Sequence, residues 1–142
     1  MSTLSDFYVA SPEQALRYDT DRNVPENERA EFKGLTYVEC ADLWATLQDV
    51  EPTSAHSNAF ESVLVVDGGQ RLINRFPPDF VARLASLDDA GFAATAAKWI
   101  QTGELAYMNC EASDVLPIIK ELSRLARDAQ KTGRSLYLWM CI

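Results

Sequence analysis

The last stretch of the chain, Leu136-Tyr137-Leu138-Trp139-Met140-Cys141-Ile142, constrains the fold more than any other segment, because neither of its alternating rows is polar. Successive side chains of an extended strand point to opposite faces of a sheet. Leu136, Leu138, Met140 and Ile142 therefore form one apolar row, and Tyr137, Trp139 and Cys141 form the other. Both rows need cover, which predicts a strand interior to the sheet with packed layers on each side.

The segment before it supplies one such layer. Val115, Ile119, Leu122 and Ala126 recur at helical spacing, with Ile118, Leu125 and Ala129 beside them, so a broad apolar stripe runs along a long helix. Ser113 is the predicted N-cap and Gly133 the predicted stop. Pro117 is then expected within the first turn, where a missing amide has no helical partner.

Further elements follow from capping and turn chemistry. Residues 6–10 read as a strand, and Ser11-Pro12-Glu13 opens a helix through about Tyr18, with Ser11 as cap, Pro12 at the first helical position and Glu13 at the positive pole. Asp19 to Lys33 reads as a polar surface loop with a helical turn near Glu26–Glu31. Thr36-Tyr37-Val38-Glu39 fits a capping box, followed by a stripe of Cys40, Leu43, Trp44 and Leu47 to about Asp49. A polar loop then carries His56.

Ser62 to Val66 reads as a strand covered on both faces, Asp67-Gly68-Gly69-Gln70 as a tight hairpin turn, and Arg71 to Phe76 as a second strand whose arginines suit an edge. Pro77-Pro78-Asp79 opens one helix, Asp88 or Asp89 caps another through about Thr102, and Gly103 is its C′ residue. Residues 104–111 fit either a short strand or a helical continuation. The sum is a single α+β domain spanning 1–142: a small mixed sheet from residues 5–10, 61–66, 71–76 and 135–142, with four to five helices mainly on one side.

Composition narrows the function classes. No stretch approaches the roughly 20 apolar residues of a membrane helix. The first residues, Met1 to Asp6, lack the basic and apolar regions of a secretory leader, which predicts a cytoplasmic protein. Cys40, Cys110 and Cys141 are odd in number and far apart, as expected of reduced thiols. With one histidine and no CxxC pair, neither a zinc site nor any cofactor is expected.

The net charge of −8 is unevenly placed: residues 1–51 hold eleven acids against four bases, and the remainder is nearly balanced. Such a chain repels phosphate backbones, so nucleic acid is not an expected partner.

Several candidate sites follow. Asp19-Thr20-Asp21-Arg22-Asn23 begins like a calcium loop, but Val24 stands where glycine is required and Ala30 where the bidentate glutamate belongs. His56 has Ser54, Ser57 and Asp67 near it in sequence, though no GxSxG elbow presents a serine. Asp67-Gly68-Gly69 lacks both phosphate-loop signatures, and a hairpin explains its glycines. The favoured reading is a non-enzymatic interaction module, of inhibitor or immunity type, that binds a basic partner through Asp19, Asp21, Glu26, Glu28 and Glu31. The alternative is a small-ligand binder or hydrolase with a cleft formed by His56, Asp67, Arg71 and Arg75, with Tyr107 as a further polar group.

Overall fold

The doubly apolar strand lies where its two covered rows require. In the computed structural model, which describes residues 3–142, Ser135–Cys141 (β5) is the middle strand of a five-stranded sheet. The order is Arg29–Lys33 (β2), Leu4–Ala10 (β1), β5, Arg71–Arg75 (β4) and Glu61–Val66 (β3). Every pairing is antiparallel, where a mixed sheet was expected. The chain has no long βαβ crossover returning a strand in the same direction beside its predecessor, so a parallel pair does not arise. Part of the N-terminal stretch read for a leader, Met1 and Ser2, lies outside the described residues.

One face of β5 meets the larger core. Leu136, Leu138 and Met140, with Phe7 and Val9 of β1, pack against Tyr37–Gln48 (α2), Pro78–Ala85 (α4), Asp89–Trp99 (α5) and Ala112–Thr132 (α6). Phe76 and Phe80 stack at 5.1 Å, and Phe60 and Phe7 meet the Phe76 ring edge-on at 5.2 and 6.0 Å, arrangements favoured by the ring quadrupole. The other face is covered by Pro12–Asp21 (α1), whose Ala15 and Tyr18 lie over Tyr8, Tyr137, Trp139 and Ile73. Tyr18 stacks on Tyr8 at 4.1 Å and meets Trp139 edge-on at 6.2 Å. The helices thus lie mainly on one side. Among the described residues no helix is long and apolar enough to cross a membrane.

Local chemistry sets most helix ends. Ser11 accepts from the Gln14 amide at 3.3 Å, and Asp88 accepts from the Gly91 amide at 2.8 Å. At α2 the Thr36 hydroxyl accepts from the Val38 amide, while Glu39 returns to the Thr36 amide, so the capping box closes reciprocally. Gly133 ends α6 with φ 67°, a left-handed conformation that glycine adopts without Cβ strain.

Five local expectations are corrected. Arg29–Lys33 is a strand and only Glu26–Glu28 forms a helical turn, because Ala30 and Phe32 turn toward the larger core while Arg29, Glu31 and Lys33 alternate with them. The two hairpin strands exchange their expected places. β3 is the edge, with Val65 57% exposed and a bulge between Ser62 and Leu64, whereas β4 is interior and its arginines are met by carboxylates on the α1 side. The long helix starts at Ala112 rather than after Ser113: the Asp114 carboxylate accepts from the Glu111 amide at 2.9 Å, which places Pro117 at the sixth helical residue. Residues Gly103–Tyr107 form a 3₁₀ turn, and His56 lies in a short helix, Ser54–Asn58 (α3).

Removal of Trp139–Ile142 takes away the end of the central strand and the ring that α1 covers. The truncated chain is expected to lose cooperative thermal unfolding by circular dichroism; a sigmoidal melt retained after truncation would contradict the central placement of β5.

Candidate functional site

The interface between α1 and the sheet concentrates polar groups. Asp6 on β1 is buried beneath α1, and one of its carboxylate oxygens receives the Tyr18 hydroxyl and an Arg22 nitrogen, each at 2.7 Å. Asp19, one turn away from Arg22, accepts from Trp139 Nε1 and from Arg71 Nε, both at 2.8 Å. Arg71 continues to the Asp67 carboxylate at 2.8 Å. The Arg22 guanidinium lies 4.4 Å from the centre of the Trp139 ring, within cation–π range. Asp19 is thus not a surface acid: its side chain is 5% exposed and ties α1 to two strands.

The two carboxyls titrate in opposite directions. Burial pushes Asp6 up, and the Tyr18 hydrogen bond and the Arg22 charge only partly oppose it. Burial also acts upward on Asp19, but the hydrogen bonds from Arg71 and Trp139 and the nearby guanidinium charges more than offset it and hold the group below the usual carboxylate range.

The other acidic candidates divide. Glu28 is half-buried and ion-paired with Arg134, whose hydrogen bond holds its carboxyl low, and Glu31 pairs with Arg29 at 3.3 Å. Asp21 and Glu26 are exposed and make no ion pair among the described residues. Three of the five acids proposed as a docking face are therefore engaged within the fold.

His56 stands apart from Arg71 and Arg75. Its Nδ1 accepts from the Thr53 amide at 3.1 Å, its Nε2 donates to Gln48 Oε1 at 2.7 Å, and its ring meets Trp44 edge-on at 5.3 Å on the helical side of the sheet. Both ring nitrogens therefore have partners within the fold. Arg71 and Asp67 lie on the α1 side instead, as does Arg75, which pairs with Glu61 at 3.6 Å. Arg75 also lines a shallow groove with Pro12, Leu16, Val63 and Tyr137. Tyr107 projects from its 3₁₀ turn, 88% exposed. These residues do not share one cleft. Among the described residues no group of three or more His, Cys, Asp or Glu side chains is placed to hold a metal ion.

A second polar centre, between α2 and α5, has no counterpart in the sequence reading. Asp42 is buried, its carboxyl pushed up by burial, and it accepts from the Glu104 amide at 3.0 Å. Gly103 passes directly over it with φ 54°, and a Cβ there would stand 2.1 Å from the Asp42 carboxylate. One turn beyond, an open groove of about 350 Å³ lies between the C-terminal ends of α2 and α5, lined by Thr46, Asp49, Val50, Glu51, Lys98 and Gln101. The sequence signal for it was Asp49 itself, an acid at a helix end where glycine or asparagine is usual.

Gly103→Ala is expected to lower stability by about 2–4 kcal/mol in urea denaturation, through the left-handed backbone and the clash with Asp42. A change within about 0.5 kcal/mol would show that the turn relaxes freely. The α1 anchors give a pH signature. The raised Asp6 contributes stability that is complete below the ordinary carboxylate pKa and is lost as pH rises through its folded value, so Asp6→Asn should gain on wild type between about pH 3 and 7. The lowered Asp19 contributes stability that is present above the ordinary value and lost on acidification, so the deficit of Asp19→Asn should be largest near neutrality and shrink toward pH 3. Parallel pH profiles for the two variants would refute these assignments. Comparison with protein-family models, with curated proteins and with solved structures finds no match.

Proposed function

We propose that this chain is a non-enzymatic cytoplasmic interaction module whose partner is a basic protein. The reading rests on how the fold distributes its charges. Arg22, Arg29, Arg71, Arg75, Arg124 and Arg134 are drawn into ion pairs, and Arg83 and Arg127 donate to main-chain carbonyls of Leu47, Ala85 and Leu87. Glu13, Asp21, Glu26, Glu51, Asp79, Asp89, Glu104 and Glu111 stay exposed and make no ion pair among the described residues. Most arginines thus hold the fold, whereas the exposed cations with neither kind of contact among the described residues, Arg17, Lys33, Lys120 and Lys131, are fewer than the exposed acids, and the net charge is −8. A field of one sign speeds encounter with a surface of the other.

An inhibitor or immunity-type protein that occludes a basic enzyme is the form this proposal takes. The unpaired thiols of Cys40, Cys110 and Cys141 suit a reducing compartment. A pull-down at two ionic strengths tests the proposal. Capture of basic proteins at about 20 mM salt that falls steeply by about 300 mM is the expected result. Capture of nothing at low salt, or capture indifferent to ionic strength, would overturn it.

A further inference from the structure

We propose that β3 pairs antiparallel with the β3 of a second copy of this chain, so that two sheets become continuous across a two-fold axis. The pairing is separate from the interaction reading above and does not depend on it.

The two edges of the sheet are finished differently. A free edge presents unpaired amides and carbonyls, and folded proteins blunt it with charged side chains, proline or a covering element. At β2, Arg29, Glu31 and Lys33 alternate along the strand, and Arg124 reaches from α6 to the carbonyls of Asn27 and Arg29. At β3, Ser62-Val63-Leu64-Val65-Val66 holds neither a charge nor a proline. Val65, opposite Leu72, is 57% exposed on the helical side of the sheet. On the α1 side, Leu16 is 48% exposed and lines a shallow groove with Val63. Apolar side chains thus stand uncovered on both sides of one unpaired strand.

The occupant follows from the pattern of faces. Glu61, Leu64 and Val66 lie opposite Arg75, Ile73 and Arg71 and share the α1 side, whereas Ser62 and Val65, opposite Asn74 and Leu72, share the helical side. Because the bulge falls between Ser62 and Leu64, Val63 joins Leu64 on the α1 side. A regular strand laid along β3 meets two successive residues on one face and loses its alternation there. A second β3, run antiparallel, carries the same irregularity at the same place. The register that pairs all 6 residues sets Glu61 against Val66, Ser62 against Val65 and Val63 against Leu64, and the members of every pair share a face.

Charge permits the approach. Glu61 is paired with Arg75 and Asp67 with Arg71, so the carboxylates that flank β3 are balanced from β4. No two like charges stand opposite each other in this register, and the strip is close to neutral on a chain of net charge −8. A single added ladder buries a small area, which gives a weak dimer with a Kd of about 10–100 µM.

Sedimentation equilibrium from about 5 to 500 µM protein, at about 150 mM salt, tests the pairing. The mass is expected to rise from 15.8 kDa toward twice that value. Ser62→Lys with Val65→Lys sets like charges opposite each other at two places and should leave a monomer throughout the range. Ser62→Lys with Val65→Glu sets opposite charges at the same two places and should restore the dimer, an effect that a merely structural role for these positions would not produce. Both side chains are exposed, so both double variants should keep a cooperative melt by circular dichroism. A wild type that stays at 15.8 kDa, a dimer that survives the first double variant, or a second double variant as monomeric as the first would overturn the pairing.

Discussion

Everything in this molecule is arranged around the need to bury both sides of β5. Leu136, Leu138 and Met140 require a helical layer on one face, and Tyr137 and Trp139 require a second cover on the other. The two covers differ in chemistry. The four-helix layer is apolar and rich in aliphatic and phenyl contacts, whereas α1 is held by a mixture of stacked rings and buried polar groups. Trp139 joins these modes: its ring packs beneath Tyr18 and Arg22, and its single N–H is satisfied by Asp19. One aromatic side chain therefore sets the height and rotation of α1 above the sheet.

Where the sequence was legible, a local rule and the tertiary structure asked for the same thing. The Thr36–Glu39 box, the Ser11 cap, the Asp88 cap and the Gly133 stop were all visible because each is decided within a few residues. The misses fall where a distant partner decides. Arg29-Ala30-Glu31-Phe32-Lys33 alternates weakly and looks like a polar loop until β1 is there to pair with it. The arginines of β4 look like edge residues until Asp19, far away in the chain, accounts for one of them. The capping of α6 by Glu111 was hidden because Ser113, two residues later, is the more familiar cap.

The candidate sites show the same division more sharply. The asymmetry of charge along the chain was plain, yet the fold cancels part of it by pairing N-terminal acids with arginines from the other half, as in Asp19–Arg71 and Glu28–Arg134. Composition reports how much charge a chain carries, and only the fold determines which charges remain free. The grouping of His56 with Arg71 and Arg75 failed for a related reason. Neighbourhood in sequence says nothing of which face of a sheet a side chain joins, and β3 and β4 separate the two groups. The groove at Asp49 escaped notice because it needs two helix ends brought together, and the aspartate that ends α2 does not announce its neighbour at the end of α5.

The pairing of β1 with β5 has a kinetic consequence. Leu4 lies opposite Cys141 and Phe7 opposite Leu138, so the ladder at the middle of the sheet joins segments separated by nearly the whole chain. Closing so long a loop costs entropy before any ladder hydrogen bond forms, and topologies dominated by distant pairings fold slowly. During synthesis β1 and the β3–β4 hairpin emerge first, each with an apolar face and an open edge that only β5 can fill. The strand that gives the finished protein its solidity is thus the piece that the growing chain must wait for longest.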